Sequence, residues 1–302
     1  MILNVNKRKP SLAVGLISAL AVVVIFCSLI ISSRIGVANH LSPYDLAAIR
    51  FGVGGIILLP FFFKYGLGGL TATKVLSLVL FGGIGFAVLA YGGLNLAPAA
   101  HGTTVMQGTL PLFSFIVALW MRESVGSRTT YLGALVICLG VVVMLADSLN
   151  QTDERQLLGD ALLLLASFSW AVYAFRVQKL RIAAPVAVGV IGFFSLIAYI
   201  PLYLFINGIS RIALTPLDAL FFQVLFQGVI VGAFTILAYT RAVETFGALG
   251  TAMFVAIVPL LTTCVGVLLL KEIPSTAGWV GVSIVPAGML IVVWSRRHEL
   301  VR

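Results

Sequence analysis

The chain is built from long apolar stretches separated by short polar punctuation, and the length of those stretches is its most informative feature. A helix rising 1.5 Å per residue needs about 20 apolar residues to cross a hydrocarbon layer of ~30 Å. When charges and Pro/Gly clusters set the ends, ten such windows emerge: residues 12–33, 43–63, 74–95, 98–121, 127–146, 159–179, 185–206, 219–240, 247–270 and 276–295. The start, "NKRKP" followed by an apolar run, imitates a signal peptide, but the run is as long as a full span and lacks a small-residue cleavage site. It is read as the first span, retained.

Composition agrees with the pattern. Of 302 residues, 61% are apolar and only 10% are charged, against about 25% charged in a soluble domain, and the mean hydropathy is +1.13. Disordered, coiled-coil and collagen-like classes are excluded. Cys27, Cys138 and Cys264 all lie in apolar runs and are odd in number, so they read as buried thiols and not as a disulfide framework. The formal charge of +9 has a topological explanation. With ten spans both termini share one side, and 14 of the 19 basic residues collect there, in the groups around Lys7, Lys64, Arg122, Lys179, Arg241 and Arg297. The opposite side holds only Arg34, Arg155, Arg211 and Lys271. The positive-inside rule therefore places both termini in the cytoplasm of a multi-pass protein of the cell (inner) membrane. The excess charge is accounted for without a nucleic-acid partner.

A shift of 148 residues lays 77–146 on 225–294 without a gap. Leu89, Ala90 and Tyr91 meet Leu237, Ala238 and Tyr239, Gly102 and Thr103 meet Gly250 and Thr251, and Pro111 and Leu112 meet Pro259 and Leu260. Glu123 and Glu272, one step out of register, each close the fourth span of their half. Chance identities are expected between apolar segments of narrow composition, but Tyr, Pro and Thr are not the common letters here, so duplication is preferred. Two halves, 12–146 and 159–295, then hold five spans each. Because five is odd, the second half enters the membrane inverted, and inverted repeats of this kind belong to transporters that work by alternating access.

The segments "LAPAAHGTTVMQGTLPLFSFIVALWMRESVGSRTTYLGALVICLGVVVML" and "TFGALGTAMFVAIVPLLTTCVGVLLLKEIPSTAGWVGVSIVPAGMLIVVW" both resemble the last two spans of an EamA domain, as do "YDLAAIRF" in the second span and "GDALLLLASFSWAVYAFRVQKL" at the start of the second half. The resemblance, to a family within the drug/metabolite transporter superfamily, covers nearly the whole chain. It implies an all-α integral membrane fold of ten helices, as two inverted five-helix repeats around a central cavity, and export of small metabolites, in some members aromatic or other neutral amino acids. The first span, "SALAVVVIFCSLIISSRIG", departs from the Trp followed by Gly, Ser or Asn that the family usually carries there. Substrate contacts made by that segment are not carried over.

Polar residues inside spans each need a reason, since an Arg at a helix centre costs on the order of 2.5–3.5 kcal/mol by insertion scales. Arg50 is read as a structural charge that snorkels or binds carbonyls, with contact to a substrate carboxylate as the alternative. His101 is either a titratable coupling residue or an ordinary one near water. Gln107 and Gln227 tie helices together or face a ligand. Trp170 falls too deep for an interfacial belt, and with Tyr173 it is either packed core or one wall of an aromatic site. Tyr91 and Tyr239 are symmetric packing or gate residues. Together Tyr91, His101, Gln107, Trp170, Tyr173, Gln227 and Tyr239 are the cavity candidates. Pro111 and Pro259 are candidate kinks. Glu123 and Glu272 read as structural, paired with neighbouring basic residues. Gln223 is expected to be wet, and no acidic residue is expected deep in a span.

Substrate class follows by elimination. A phosphate-bearing substrate calls for several midplane Lys or Arg, and a bare cation for an embedded carboxylate. A mostly neutral, aromatic-edged pathway remains, suited to a zwitterionic or apolar metabolite, with an amino acid favoured over drug-like solutes. An enzyme acting on lipid-linked substrates needs clustered acidic or His residues, and Asp153, Glu154 and Asp160 are an acidic cluster without a His nearby in sequence. No cofactor or metal is called for. The expected partners are a small-molecule substrate and the bilayer; oligomeric state is not legible.

Overall fold

The computed structural model describes residues 11–97, 101–122, 128–150, 154–208, 210–255, 257–271 and 273–300. Among them there are only helices, turns and short connections. In chain order these are α1 (Leu12–Ala38), α2 (Pro43–Tyr65), α3 (Ala72–Leu96), α4 (Gly102–Trp120), α5 (Arg128–Asn150), α6 (Glu154–Leu180), α7 (Ala184–Asn207), a short helical turn (Ser210–Leu214), α8 (Leu217–Val255), α9 (Val258–Leu270) and α10 (Thr276–Leu300). Seven of them, α1 to α4 and α6 to α8, are long and apolar enough to cross a membrane, while α5 and α9 contribute shorter apolar segments, Tyr131–Gly140 and Val258–Leu269. Glu123 and Glu272 lie outside the described residues.

Local chemistry sets the helix ends. Ser42 and Asp45 form a reciprocal capping box at the start of α2, with Pro43 in the first turn. α1 runs five residues past its expected end, which brings Arg34 into the helix, where its guanidinium donates to the carbonyls of Leu94 and Ala97 at the end of α3. Pro111 and Pro259 do not bend continuous helices. Each sits in the first turn of a helix that restarts after a break, a position where the missing N–H has no intrahelical partner to lose.

α5 packs on α10, α2 on α7, α1 on α8 and α3 on α6, so the main partnerships cross from residues 12–150 to residues 154–300. α2 and α8 approach backbone to backbone: a Cβ at Gly54 would lie 2.7 Å from the Gly232 carbonyl carbon, and one at Gly232 would lie 2.6 Å from the Arg50 carbonyl oxygen. Small residues are what allow such approach in hydrocarbon. Three helices are π-wound in part, α3 over Val79–Gly83, α4 over Gly102–Gln107 and α8 over Val224–Phe234; residue 79 falls on residue 227 under the 148-residue shift.

Candidate functional site

α1, α3, α6 and α8 each send one aromatic side chain to a common point. Trp170 of α6 is the hub, with ring centroids of Phe86 at 4.6 Å, Tyr239 at 5.0 Å and Phe26 at 5.7 Å. Its own helix adds Tyr173 at 5.1 Å, whose hydroxyl lies 2.7 Å from that of Thr240. Edge-on and tilted geometries predominate, as ring quadrupoles prefer. All five rings are buried. Two polar edges in this box are poorly satisfied: Trp170 Nε1 and the Tyr239 hydroxyl are neighbours but make no hydrogen bond of normal geometry, to each other or to another group. Such an orphan costs about 1–3 kcal/mol, which a bound molecule or water would recover.

Beside the box runs a polar chain whose direction can be deduced. Ser32 and Ser33 give their protons to the carbonyls of Ser28 and Leu29 one turn back, so their oxygens can only accept. They accept from Gln227 Nε2, at 2.9 Å each. That fixes the amide orientation, and Gln227 Oε1 accepts the Tyr91 hydroxyl proton at 2.7 Å. The Tyr91 oxygen is thereby left as an acceptor, and its charged neighbour is Arg50. Arg50 is 3% exposed, its guanidinium centred 5.5 Å from the Phe86 ring and 5.8 Å from that of Phe51, and its Nη1 has no partner.

The same end of the bundle is tied at further points between residues 12–150 and 154–300. Gln223, expected to be wet, is buried and donates to the Ser32 carbonyl at 2.9 Å. The Tyr203 hydroxyl donates to Asp45 Oδ1 at 2.5 Å, and that of Tyr199 to the Tyr44 carbonyl at 3.2 Å. His101 Nδ1 sits 3.1 and 3.2 Å from the two carboxylate oxygens of Asp160. Asp45 and Asp160 are buried near the starts of α2 and α6, and one expectation is corrected: Asp160 has a histidine against it although 59 positions separate them. A carboxylate taken from water needs such a partner, and pairing across helix ends leaves no local mark in a sequence.

The opposite end differs. Its side-chain hydrogen bonds among the described residues each stay within one half: Val14 N–H donates to Ser11 and Thr71 pairs with Thr73 in the first, while in the second Gln178 Oε1 accepts from Ala248 N–H at 2.6 Å, Glu244 accepts from Ala184 N–H at 2.7 Å, and Arg241 pairs with Glu244 at 3.2 Å. The bond to Gln178 caps the restart of α8 after Gly247, whose φ of +75° breaks the helix. A cavity of about 470 Å³ opens here between α1, α2, α7 and α8, lined by Ile17, Ile25, Phe61, Phe234, Ala238 and Arg241 among others. None of the seven candidate residues lines it. Its walls Ile25 and Ala238 are the chain neighbours of Phe26 and Tyr239, so it ends beside the aromatic box.

Of the seven, Trp170, Tyr173 and Tyr239 are thus brought together in the box, Tyr91 and Gln227 in the polar chain, and His101 against Asp160. Gln107 ends the π-wound start of α4 (Gly102–Gln107), buried, with Nε2 unpartnered. Sequence reasoning missed Phe26, Phe86, Ser32 and Ser33; the polarity of two serines inside the apolar first span was the available signal.

The model of the EamA-like transporter family matches residues 13–146 and again 157–294. An uncharacterized transporter of Archaeoglobus fulgidus is 24% identical over 276 residues, covering 86% of this chain and 91% of its own. The uncharacterized transporter YyaM of Bacillus subtilis is 24% identical over 239 residues, 74% of this chain and 76% of its own. A 134-residue match to an uncharacterized transporter of Acidianus ambivalens reaches 31% identity, but spans 44% of this chain and 49% of that relative. A solved crystal structure shares the fold, with a TM-score of 0.68 over 95% of this chain and 99% of its own at 19% identity.

Proposed function

The chain belongs to the EamA-like transporter family, within the drug/metabolite transporter superfamily, and from that premise we propose that it exports a small neutral or zwitterionic metabolite, an amino acid by preference, by alternating access. Family and relatives speak for a transporter over an enzyme. The observation that carries the reading is the aromatic box: Phe26 and Phe86 come from one half, Trp170 and Tyr239 from the other, and poorly satisfied donors sit among them. A site assembled from both halves is remade whenever the halves move.

On this reading the halves, 12–146 and 159–295, are inverted five-helix repeats. The family model matching twice, the restarts at Pro111 and Pro259, and the matching π-wound segments all support it. By the distribution of basic residues the cavity end faces the cytoplasm and the hydrogen-bonded end faces outward, so the conformation is one held shut on the outside.

The test is flux in proteoliposomes with a panel of amino acids, with and without a pH gradient. Flux that Trp170→Ala abolishes and Arg50→Lys only reduces supports this site. Flux surviving Trp170→Ala sinks it. Apolar drug-like solutes moving faster than any amino acid favour the alternative substrate class.

A further inference from the structure

A guanidinium deep in a hydrocarbon layer is retained when something compensates it. For Arg50 little does. The aromatic faces of Phe51 and Phe86 and the accept-only oxygen of Tyr91 lie beside it, and no carboxylate among the described residues pairs with it. The buried acids among the described residues are engaged elsewhere, Asp45 by Ser42 and Tyr203, and Asp160 by His101. Nη1 is left with no partner at 3% residue exposure. The hydrogen-bond direction along Ser32, Ser33, Gln227 and Tyr91 gives Arg50 one acceptor and no anion. Phe86, which stacks under the guanidinium, also touches Trp170 at 4.6 Å, so the unfilled cation and the aromatic box share a wall.

We propose that Arg50 is the specificity-determining residue of this site, and that the molecule it selects is a monocarboxylate with an apolar body: the carboxylate seats on Arg50 Nη1 and the body lies against Phe86, Trp170 and Tyr239. This rests on the transporter reading of the same site and sharpens it. An α-ammonium group on the substrate finds ring faces and the Tyr239 hydroxyl but no acid among the described residues of the box, so it adds less to recognition than the carboxylate does. The carboxylate is the feature read. A charge-assisted hydrogen bond to guanidinium in a water-poor site is about twice as strong as a neutral one, and a buried donor made to satisfy an anion rejects the isostere that lacks the charge.

Four probes separate the possibilities in purified wild-type protein: phenylalanine, 3-phenylpropanoate (no ammonium), 2-phenylethylamine (no carboxylate) and 3-phenylpropanamide (uncharged isostere). Binding is read by thermal stabilisation and by competition in counterflow. The expected result is that phenylalanine and 3-phenylpropanoate bind within a few-fold of each other, and that the amide and the amine bind at least ~10-fold more weakly. Arg50→Gln should abolish that preference while keeping the weak binding of the amide, and Arg50→Lys should keep part of the preference. Equal binding of amide and carboxylate by wild type overturns the proposal and leaves the transporter reading standing. Binding of none of the four overturns the site itself. Because the first comparison needs no variant, it decides the matter even where loss of Arg50 prevents folding.

Discussion

The two ends of this bundle are held together by different means. At the end assigned to the outside, residues 12–150 and 154–300 are joined by side-chain hydrogen bonds with defined donors: Tyr91 to Gln227, Gln227 to Ser32 and Ser33, Gln223 to the Ser32 carbonyl, Tyr203 to Asp45. At the other end the hydrogen bonds among the described residues hold each half to itself, and the contact between halves is steric, as where a Cβ at Gly15 would lie 2.4 Å from Thr245 Cγ2. The difference is one of reversibility. Apolar and small-residue contacts in lipid cost little to separate because the tails replace them, while each broken polar contact exposes a group that hydrocarbon cannot satisfy. A transporter so built rests closed on the polar side, and opening that side requires the bonds to be replaced by water or ligand.

The comparison breaks most directly at Gln227. Gln227→Leu strands the Tyr91 hydroxyl and removes the donor of both serines, with an expected cost of about 2–4 kcal/mol at roughly 1 kcal/mol per bond. With Cys27, Cys138 and Cys264 replaced by Ala, labelling of Leu46→Cys by a membrane-impermeant maleimide from outside should rise at least ~10-fold, and unchanged labelling would refute the latch. Tyr203→Phe, which frees Asp45 from its cross-half donor, should lower stability by about 1–3 kcal/mol and raise the same labelling by less. At the other end Gly247→Ala forces a Cβ into the left-handed region, costing about 1–2 kcal/mol, and it should leave outside labelling of Leu46→Cys untouched. Should it increase that labelling, the two ends are not independent. The smallest effect is expected from Arg241→Gln: the ion pair with Glu244 is partly exposed, such pairs give about 0–1 kcal/mol, and detergent melting should barely move.

Much of this was legible. Apolar run length placed the long helices, because the bilayer imposes one dimension on every span. Trp170 and Tyr173 stood out because aromatic groups with polar edges are uncommon at midplane. What stayed hidden depends on rotation and on partners far along the chain. Asp160 was read as part of an acidic cluster without a histidine, because a helix-end position says nothing about His101 arriving from 59 positions away. Ser32 and Ser33 look inert, since each spends its proton on its own helix, and only the arrival of Gln227 gives their oxygens a use. Arg50 was read as a structural charge, and its sequence context does not reveal that its Nη1 is buried without a partner.

The π-wound turns of α3 and α8 bear on Tyr91 and Gln227. Fitting an extra residue into a turn offsets everything beyond it by about 100°, the angular step of one residue in a helix with 3.6 per turn. Tyr91 follows such a turn and Gln227 lies inside one, so the bond between them is a matter of phase as well as depth. An extra residue of this kind can pass along a helix one position at a time, exchanging one carbonyl partner for the next without breaking the rod. In α3 and α8 that sliding fault amounts to a screw motion, able to turn Tyr91 and Gln227 out of engagement while the ends of both helices stay where they are.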